Sequence, residues 1–528
     1  MNGSSERGRS RPLWAIPARG TGFRAQSGQD ARAPGSWPAS GSEGNAALRT
    51  SLDLPLNQFV ERTLRQHLDR LRPQHVRQGA VVVLDNRTGE VWALVGSDDF
   101  FAPEAGQVNG AWAARSPGST LKPFTYLLAF ERGATPASVV DDLPVEFATP
   151  TGVFAPVNYD HRCYGPMRYR LALANSLNLS AVKVLASIGG PGVLLDRLRQ
   201  CGLTTLNRPA DFYGLGLTLG NAEVRLLELV NAYACLARLG EFMPARLTAG
   251  SGFRVPSSEP AARRVFEAGA AWLIADILSD NQARTLAFGA DSNLRFDFPV
   301  ACKTGTSSDF RDNWAVGYTP EFTAGVWVGN FDGTPMTRVS GVSGAAPILH
   351  EVFAHLRQRF GTTWYAPLTN LVTKPIHPLT GKLLARADAG AVRESFLAGQ
   401  LPPAESPDDT DAAGRVRLPA AYRAWLASGD NWLGERAVAA SAGPRSLRWV
   451  FPLPGTVFFL DPDLPDSSRR IRLRIEGDPE VAWRSDSLSC RVEGGAAWVL
   501  MAEGRHRLAA RCERTGEEVE TWIEVKGL

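Results

Sequence analysis

The stretch Arg115-Ser-Pro-Gly-Ser-Thr-Leu-Lys-Pro-Phe124 sets a hydroxyl and an amine one helical turn apart. Pro117 and Gly118 make a turn, and Thr125-Tyr-Leu-Leu-Ala-Phe130 is apolar enough to form a buried helix that Gly133 ends. Ser119 then stands at the helix start. Residues three apart share a helix face, so the Lys122 amine is expected within hydrogen-bond reach of the Ser119 hydroxyl. Burial would lower its pKa towards that of a working base. A capping serine with an exposed lysine gives the same spacing, so the rest of the chain decides between the two.

Working outward, 528 residues can bury a large core and hold more than one domain. The chain is 44% hydrophobic and 21% charged with a net charge of +3, a balance that gives no reason to expect a nucleic-acid or strongly acidic partner. Cys163, Cys201, Cys235, Cys302, Cys490 and Cys512 form no C-x-x-C pair and have no histidine spacing suited to zinc, so neither metal nor cofactor is expected. Cys490 and Cys512 could pair or remain separate thiols. No apolar run is long enough to cross a bilayer, and the N-terminus lacks the order of a secretory signal.

Residues 1–48, rich in Gly, Ser, Pro and Arg, read as a disordered lead. Residues 49–360 read as one domain. Ser51 to Pro55 looks extended and feeds an amphipathic helix with Val60, Leu64, Leu68 and Leu71 on one face, followed by a hairpin of Ala80–Leu84 and Val91–Val95. The middle is helical: Leu171–Ala186, Ala222–Leu239 and Val265–Leu278. Three β-rich runs, Phe298–Thr306, Asn313–Tyr318 and Thr323–Asn330, then suit antiparallel neighbours. Strands, helices, strands implies an α+β domain in which the terminal segments form one sheet and the middle packs on it. Residues 361–448 read as a linker with some helix near Pro419–Leu426, and residues 449–528 as a small all-β sandwich.

Two further motifs join the first. Ser176-Leu-Asn178 is a Ser-x-Asn in the helical middle, and Lys303-Thr-Gly-Thr306 lies on an expected strand. Each alone is an ordinary turn or strand end. In this order, Ser-x-x-Lys, Ser-x-Asn and Lys-Thr-Gly form the trio of serine β-lactamases and penicillin-binding proteins, with Leu177 where the usual middle motif has Asp. Gln107-Val-Asn-Gly110, Arg115–Phe124 and Lys303–Tyr318 resemble the transpeptidase domain of class A penicillin-binding proteins. The last segment, opening Phe451-Pro-Leu-Pro-Gly-Thr456, resembles the C-terminal domain of the 1C branch.

That resemblance implies a penicillin-binding, β-lactamase-like fold and a peptidoglycan D,D-transpeptidase. Ser119 would be the nucleophile, Lys122 the base, Ser176 the proton relay and Lys303 the group that tunes the local potential. Asn178, Thr304, Gly305 and Thr306 would bind the substrate, with the backbone N–H groups of Ser119 and Thr306 as oxyanion hole. The expected partners are peptidoglycan stem peptides, β-lactams as inhibitors, and a separate glycosyltransferase or cell-wall assembly protein. The membrane helix and glycosyltransferase domain that precede the transpeptidase in that class are not read here, so glycan polymerisation is not expected. The chemistry implies the periplasm or the outer face of the inner membrane. The same trio also serves D,D-carboxypeptidases and serine β-lactamases, and a β-lactam or peptidoglycan sensor would keep the fold without turnover.

Overall fold

Asp53 is the first residue whose side chain organises the fold. Its carboxylate accepts the Leu56 N–H at 2.8 Å and so caps α1 (Leu54–Leu71), with Pro55 in the first turn, where a missing N–H costs nothing. The extended reading of Leu54 and Pro55 is thereby corrected, because a capped start outweighs the strand appearance of the run. The computed structural model describes residues 49–149, 152–248, 262–387, 390–440, 447–460, 469–477 and 480–527. The expected disordered lead, residues 1–48, lies outside them.

The centre is a five-stranded antiparallel sheet of β1 (Gln78–Asp85), β2 (Val91–Val95), β3 (Ala301–Thr306), β4 (Asp312–Tyr318) and β5 (Phe322–Gly329), in the order β2-β1-β5-β4-β3. The three late strands pair as neighbours, as their sequence suggests. Alternation along β1 divides its side chains between two cores. Val81 and Val83 join Leu56, Val60, Leu64 and Leu68 of α1 and Leu349, Val352 and Phe353 of α7 (Ala345–Phe360). Ala80, Val82 and Leu84 face the larger helical side. That side holds α2 (Lys122–Glu131), α3 (Tyr169–Ala174), α4 (Asn178–Ser187), α5 (Leu226–Ala237) and α6 (Ala268–Ser279). A sheet buried on both faces explains why its strands are nearly continuous runs of apolar residues. β3 is an edge of the sheet, paired with β4 as its one strand neighbour among the described residues.

The span read as a linker with some helix carries a hairpin, Leu371–Ile376 with Val392–Leu397, and a parallel pair, Val416–Leu418 with Ala437–Ala439. Among its described residues the α-helix is the short Arg423–Leu426. The C-terminal segment forms two four-stranded sheets sharing a core of Ile471, Leu473, Val499, Leu508, Ile523 and Val525. Cys490 pairs with Val499 in one sheet and Cys512 with Val481 in the other, and both are free thiols. Among the described residues no single helix is long and apolar enough to cross a membrane.

Phe353 is fully buried where α7 meets the sheet. Phe353→Ala should lower the unfolding free energy by about 3–5 kcal/mol, read as a lower urea midpoint with an unchanged slope.

Candidate active site

Ser119 lies in a 3₁₀ turn, Gly118–Leu121, that runs straight into α2 at Lys122. Buried donors fix the backbone on both sides of it. Trp314 Nε1 donates to Ser116 O at 2.7 Å, and Tyr233 OH donates to Thr120 O at 2.6 Å. The turn sits against β3 backbone to backbone. Gly118 has φ +53°, and a Cβ there would stand 2.6 Å from Thr306 O. A Cβ on Gly305 would stand 2.3 Å from Pro117 O. Only glycines permit this approach, which brings the lysine strand to the serine.

The helical run expected over Leu171–Ala186 breaks in two, and the break carries the second motif. α3 ends at Ala174, Ser176 adopts a left-handed φ of +58°, and α4 begins at Asn178. Asn158 Oδ1 accepts from Asn178 N at 2.7 Å and from Leu179 N at 3.2 Å, the role of a helix cap. Asn158 Nδ2 in turn donates to Asp142 Oδ1 at 2.6 Å, and Ser180 Oγ donates to Asp142 Oδ2 at 2.7 Å. Burial pushes the Asp142 carboxyl up, while these hydrogen bonds oppose the shift. Leu177, where the usual motif has Asp, is 5% exposed and packs into the helical core.

The three motifs meet at the Ser176 hydroxyl. Lys122 Nζ lies 2.5 Å from Ser176 O, 2.6 Å from Asn178 Oδ1 and 3.3 Å from Ser176 Oγ. Lys303 Nζ donates to Ser176 Oγ and Thr304 O, both at 2.8 Å. Lys122 therefore reaches the second motif rather than Ser119, whose hydroxyl has no hydrogen-bond partner among the described residues. Lys122 is 0% and Lys303 3% exposed. Burial holds the Lys122 amine well below the ordinary lysine range, and the Lys303 charge lowers it further. Lys303 is lowered to about 7, mainly by burial and then by Arg284. Lowering an amine's proton affinity in this way makes its uncharged, proton-accepting form easier to reach.

Above these amines opens a cleft of about 1330 Å³ lined by Ser119, Ser176, Asn178, Thr304, Thr306 and Tyr159, among others. Thr306 Oγ1 accepts from Gly341 N at 3.0 Å, which leaves its O–H free to donate into the cleft. Asp142, Asn158, Tyr233 and Trp314 support the site, yet sequence reading did not find them. Asp142, Asn158 and Tyr233 lie on separate elements with no local spacing to the motifs, and Trp314 falls within the quoted Lys303–Tyr318 run without a role having been read for it.

Gly305→Ala should force β3 away from the Ser119 turn. Amide hydrogen exchange along β3 should speed up with the far-ultraviolet circular dichroism unchanged. A second expectation concerns pH. With its folded pKa at about 7 and its ordinary value at 10.5, Lys303 is neutral in the folded chain and charged in the unfolded chain between those limits. The unfolded state then binds the extra proton, so stability rises with pH across that window. Between about pH 7 and about pH 9 the difference in unfolding free energy between wild type and Lys303→Met should move towards the wild type by about 2 kcal/mol, measured by urea titration at each pH.

Residues 79–354 match the family model for the penicillin binding protein transpeptidase domain. The chain is 33% identical over 433 residues to penicillin-binding protein 1C of Escherichia coli, covering 80% of this chain and 52% of that protein. It is 34% identical over 259 residues to penicillin-binding protein 1A of Aquifex aeolicus, covering 48% of this chain and 34% of the relative. It thus spans about half the length of the first relative and about a third of the second. The crystal structure of penicillin-binding protein 1A from Haemophilus influenzae shares the fold, with a TM-score of 0.55 at 24% identity over 62% of this chain and 54% of that one. A turn serine, two buried amines and an edge strand in this arrangement, together with that match, make the chain a member of the penicillin-binding protein transpeptidase family.

Proposed function

We propose that this chain is a serine-type D,D-transpeptidase that cross-links peptidoglycan stem peptides through an acyl-enzyme on Ser119. The observation that carries this reading is the convergence of Lys122 and Lys303 on Ser176, with Lys122 also bonded to Asn178, beside a cleft that Ser119, Ser176 and Asn178 line.

In the proposed reaction the Ser119 oxygen attacks the carbonyl between two terminal D-alanines, and Lys122 takes the hydroxyl proton. Charge collecting on the carbonyl oxygen is met by the backbone N–H groups of Ser119 and Thr306. Ser176, bridged to both amines, passes a proton to the departing D-alanine amine as the C–N bond breaks. The donor peptide extends along the open edge of β3, with its terminal carboxylate at the Thr304 and Thr306 hydroxyls and an amide at Asn178. An amine from a second stem peptide then attacks the ester carbonyl, frees Ser119 and completes the cross-link. β-Lactams acylate the same serine. This chemistry belongs in the periplasm or on the outer face of the inner membrane.

A fluorescent penicillin should label the wild-type chain and leave Ser119→Ala unlabelled; persistent labelling of the variant would refute the nucleophile. With synthetic stem peptides the wild type should yield cross-linked dimer. Rapid release of hydrolysed penicillin would instead indicate a β-lactamase, and a stable adduct with no peptide product a sensor.

A further inference from the structure

The family match ends at residue 354, yet the chain beyond it reaches back to the second motif from two sides. We propose that residues 371–440 act as a positioning clamp on the Ser176–Asn178 element, with Glu394 holding α3 and with Trp425 and Asp430 holding the loop that carries Asn158. The inference rests on the acyl-enzyme reading above.

On the first side, Glu394 projects from the Val392–Leu397 strand, and its side chain is 0% exposed. Its carboxylate accepts from Arg168 Nη1 at 3.0 Å, from Arg170 Nε at 2.9 and 3.0 Å, and from Arg170 Nη2 at 2.6 Å. Arg170 also pairs with Asp276 of α6 and with Asp280, which follows the last residue of that helix. Neutralising Glu394 leaves two buried guanidiniums, one beside and one within the first turn of α3, without the carboxylate between them. α3 spans only six residues, Tyr169–Ala174, so a displacement at Arg170 reaches Ser176 within two turns. Ser176 is also the residue least able to absorb it. Its left-handed φ of +58° is kept only by surroundings that over-determine it.

On the second side, the clamp satisfies the backbone of the loop at Cys163 and Tyr164. Asp430 Oδ2 accepts from Cys163 N at 2.9 Å, Trp425 Nε1 donates to Cys163 O at 2.8 Å, and Trp432 Nε1 donates to Tyr164 O at 2.8 Å. Gly165, with φ +70°, lets the Trp425 ring approach to within 2.5 Å of where a Cβ would be. The same loop turns its other hydrogen bonds inward. Tyr164 N donates to Asp142 Oδ1 at 3.0 Å, and Arg162 O accepts from Asn158 Nδ2 at 2.9 Å. Asn158 in turn caps α4 at Asn178. Both sides of the clamp therefore end on the residues that hold the Lys122 amine, although Glu394, Trp425 and Asp430 do not line the cleft.

The test is stopped-flow acylation of the full chain by a fluorescent penicillin, separating the dissociation constant of the first complex from the acylation rate constant over a range of pH. Glu394→Gln should lower the rate constant about 10-fold and move the pH midpoint of acylation, while the dissociation constant changes less than about 2-fold. Asp430→Asn and Trp425→Phe should do the same to a smaller extent. A purely structural role would reduce the folded fraction but leave the rate constant and pH midpoint of the folded molecules unchanged, and that result overturns the clamp. Should Glu394→Gln fail to fold, the Asp430 and Trp425 variants decide by the same criterion. A wild type that takes no label overturns the acyl-enzyme reading and the clamp together; a labelled wild type with unaltered variants overturns the clamp alone.

Discussion

Two amines share one hydroxyl at the centre of this protein, and the desolvation of those amines is the constraint on which the site depends. Lys122 and Lys303 both donate to Ser176, and both are almost wholly removed from water. Two ammonium groups in such a place would repel each other and lose their hydration, so the protein shifts their proton affinities downward instead. What would be a burden in a structural core is useful beside a serine, because an uncharged amine is a proton acceptor. The acceptors around Lys122, Ser176 O and Asn178 Oδ1, keep its nitrogen oriented without supplying a full opposing charge.

Holding such an arrangement requires rigidity from distant parts of the chain. The sheet is assembled from both ends of the domain, which is how a strand from residues 301–306 comes to lie against a turn at residues 118–121. Glycines bring the two backbones together, and Trp314 and Tyr233 fix the turn from beneath. The left-handed Ser176 is maintained by Asn158 and Asp142 on one side and by α3 on the other. Local strain at a reacting centre is stable only within such a frame.

The sequence makes much of this legible, for a physical reason. Richness in β-forming residues is a local property, so the strands of the central sheet and their antiparallel order can be read from runs such as Asn313–Tyr318 and Thr323–Asn330. The three motifs are also short and local, and they converge as their order suggests. Other features depend on long-range context. The extended look of Leu54 and Pro55 gave way to a helix because one Asp53 cap decided the start. The break after α3 is invisible in a run as apolar as Leu171–Ala186, since it depends on bonds from Asn158 and Asn175 to backbone far along the chain. In the same way Ser119 and Lys122, one turn apart, suggested a direct bond, whereas the amine points to a different motif.

The bare edge of β3 has a consequence beyond chemistry. Unpaired strand edges are templates for sticking to other sheets, and proteins usually blunt them with charge, proline or a bulge. Here the edge lies inside a cleft, beside the turn of residues 118–121 and the segment at Gly341. A slot of that kind favours a lone extended chain over a second folded sheet, so the protein can display a hydrogen-bonding edge permanently without inviting copies of itself to aggregate along it.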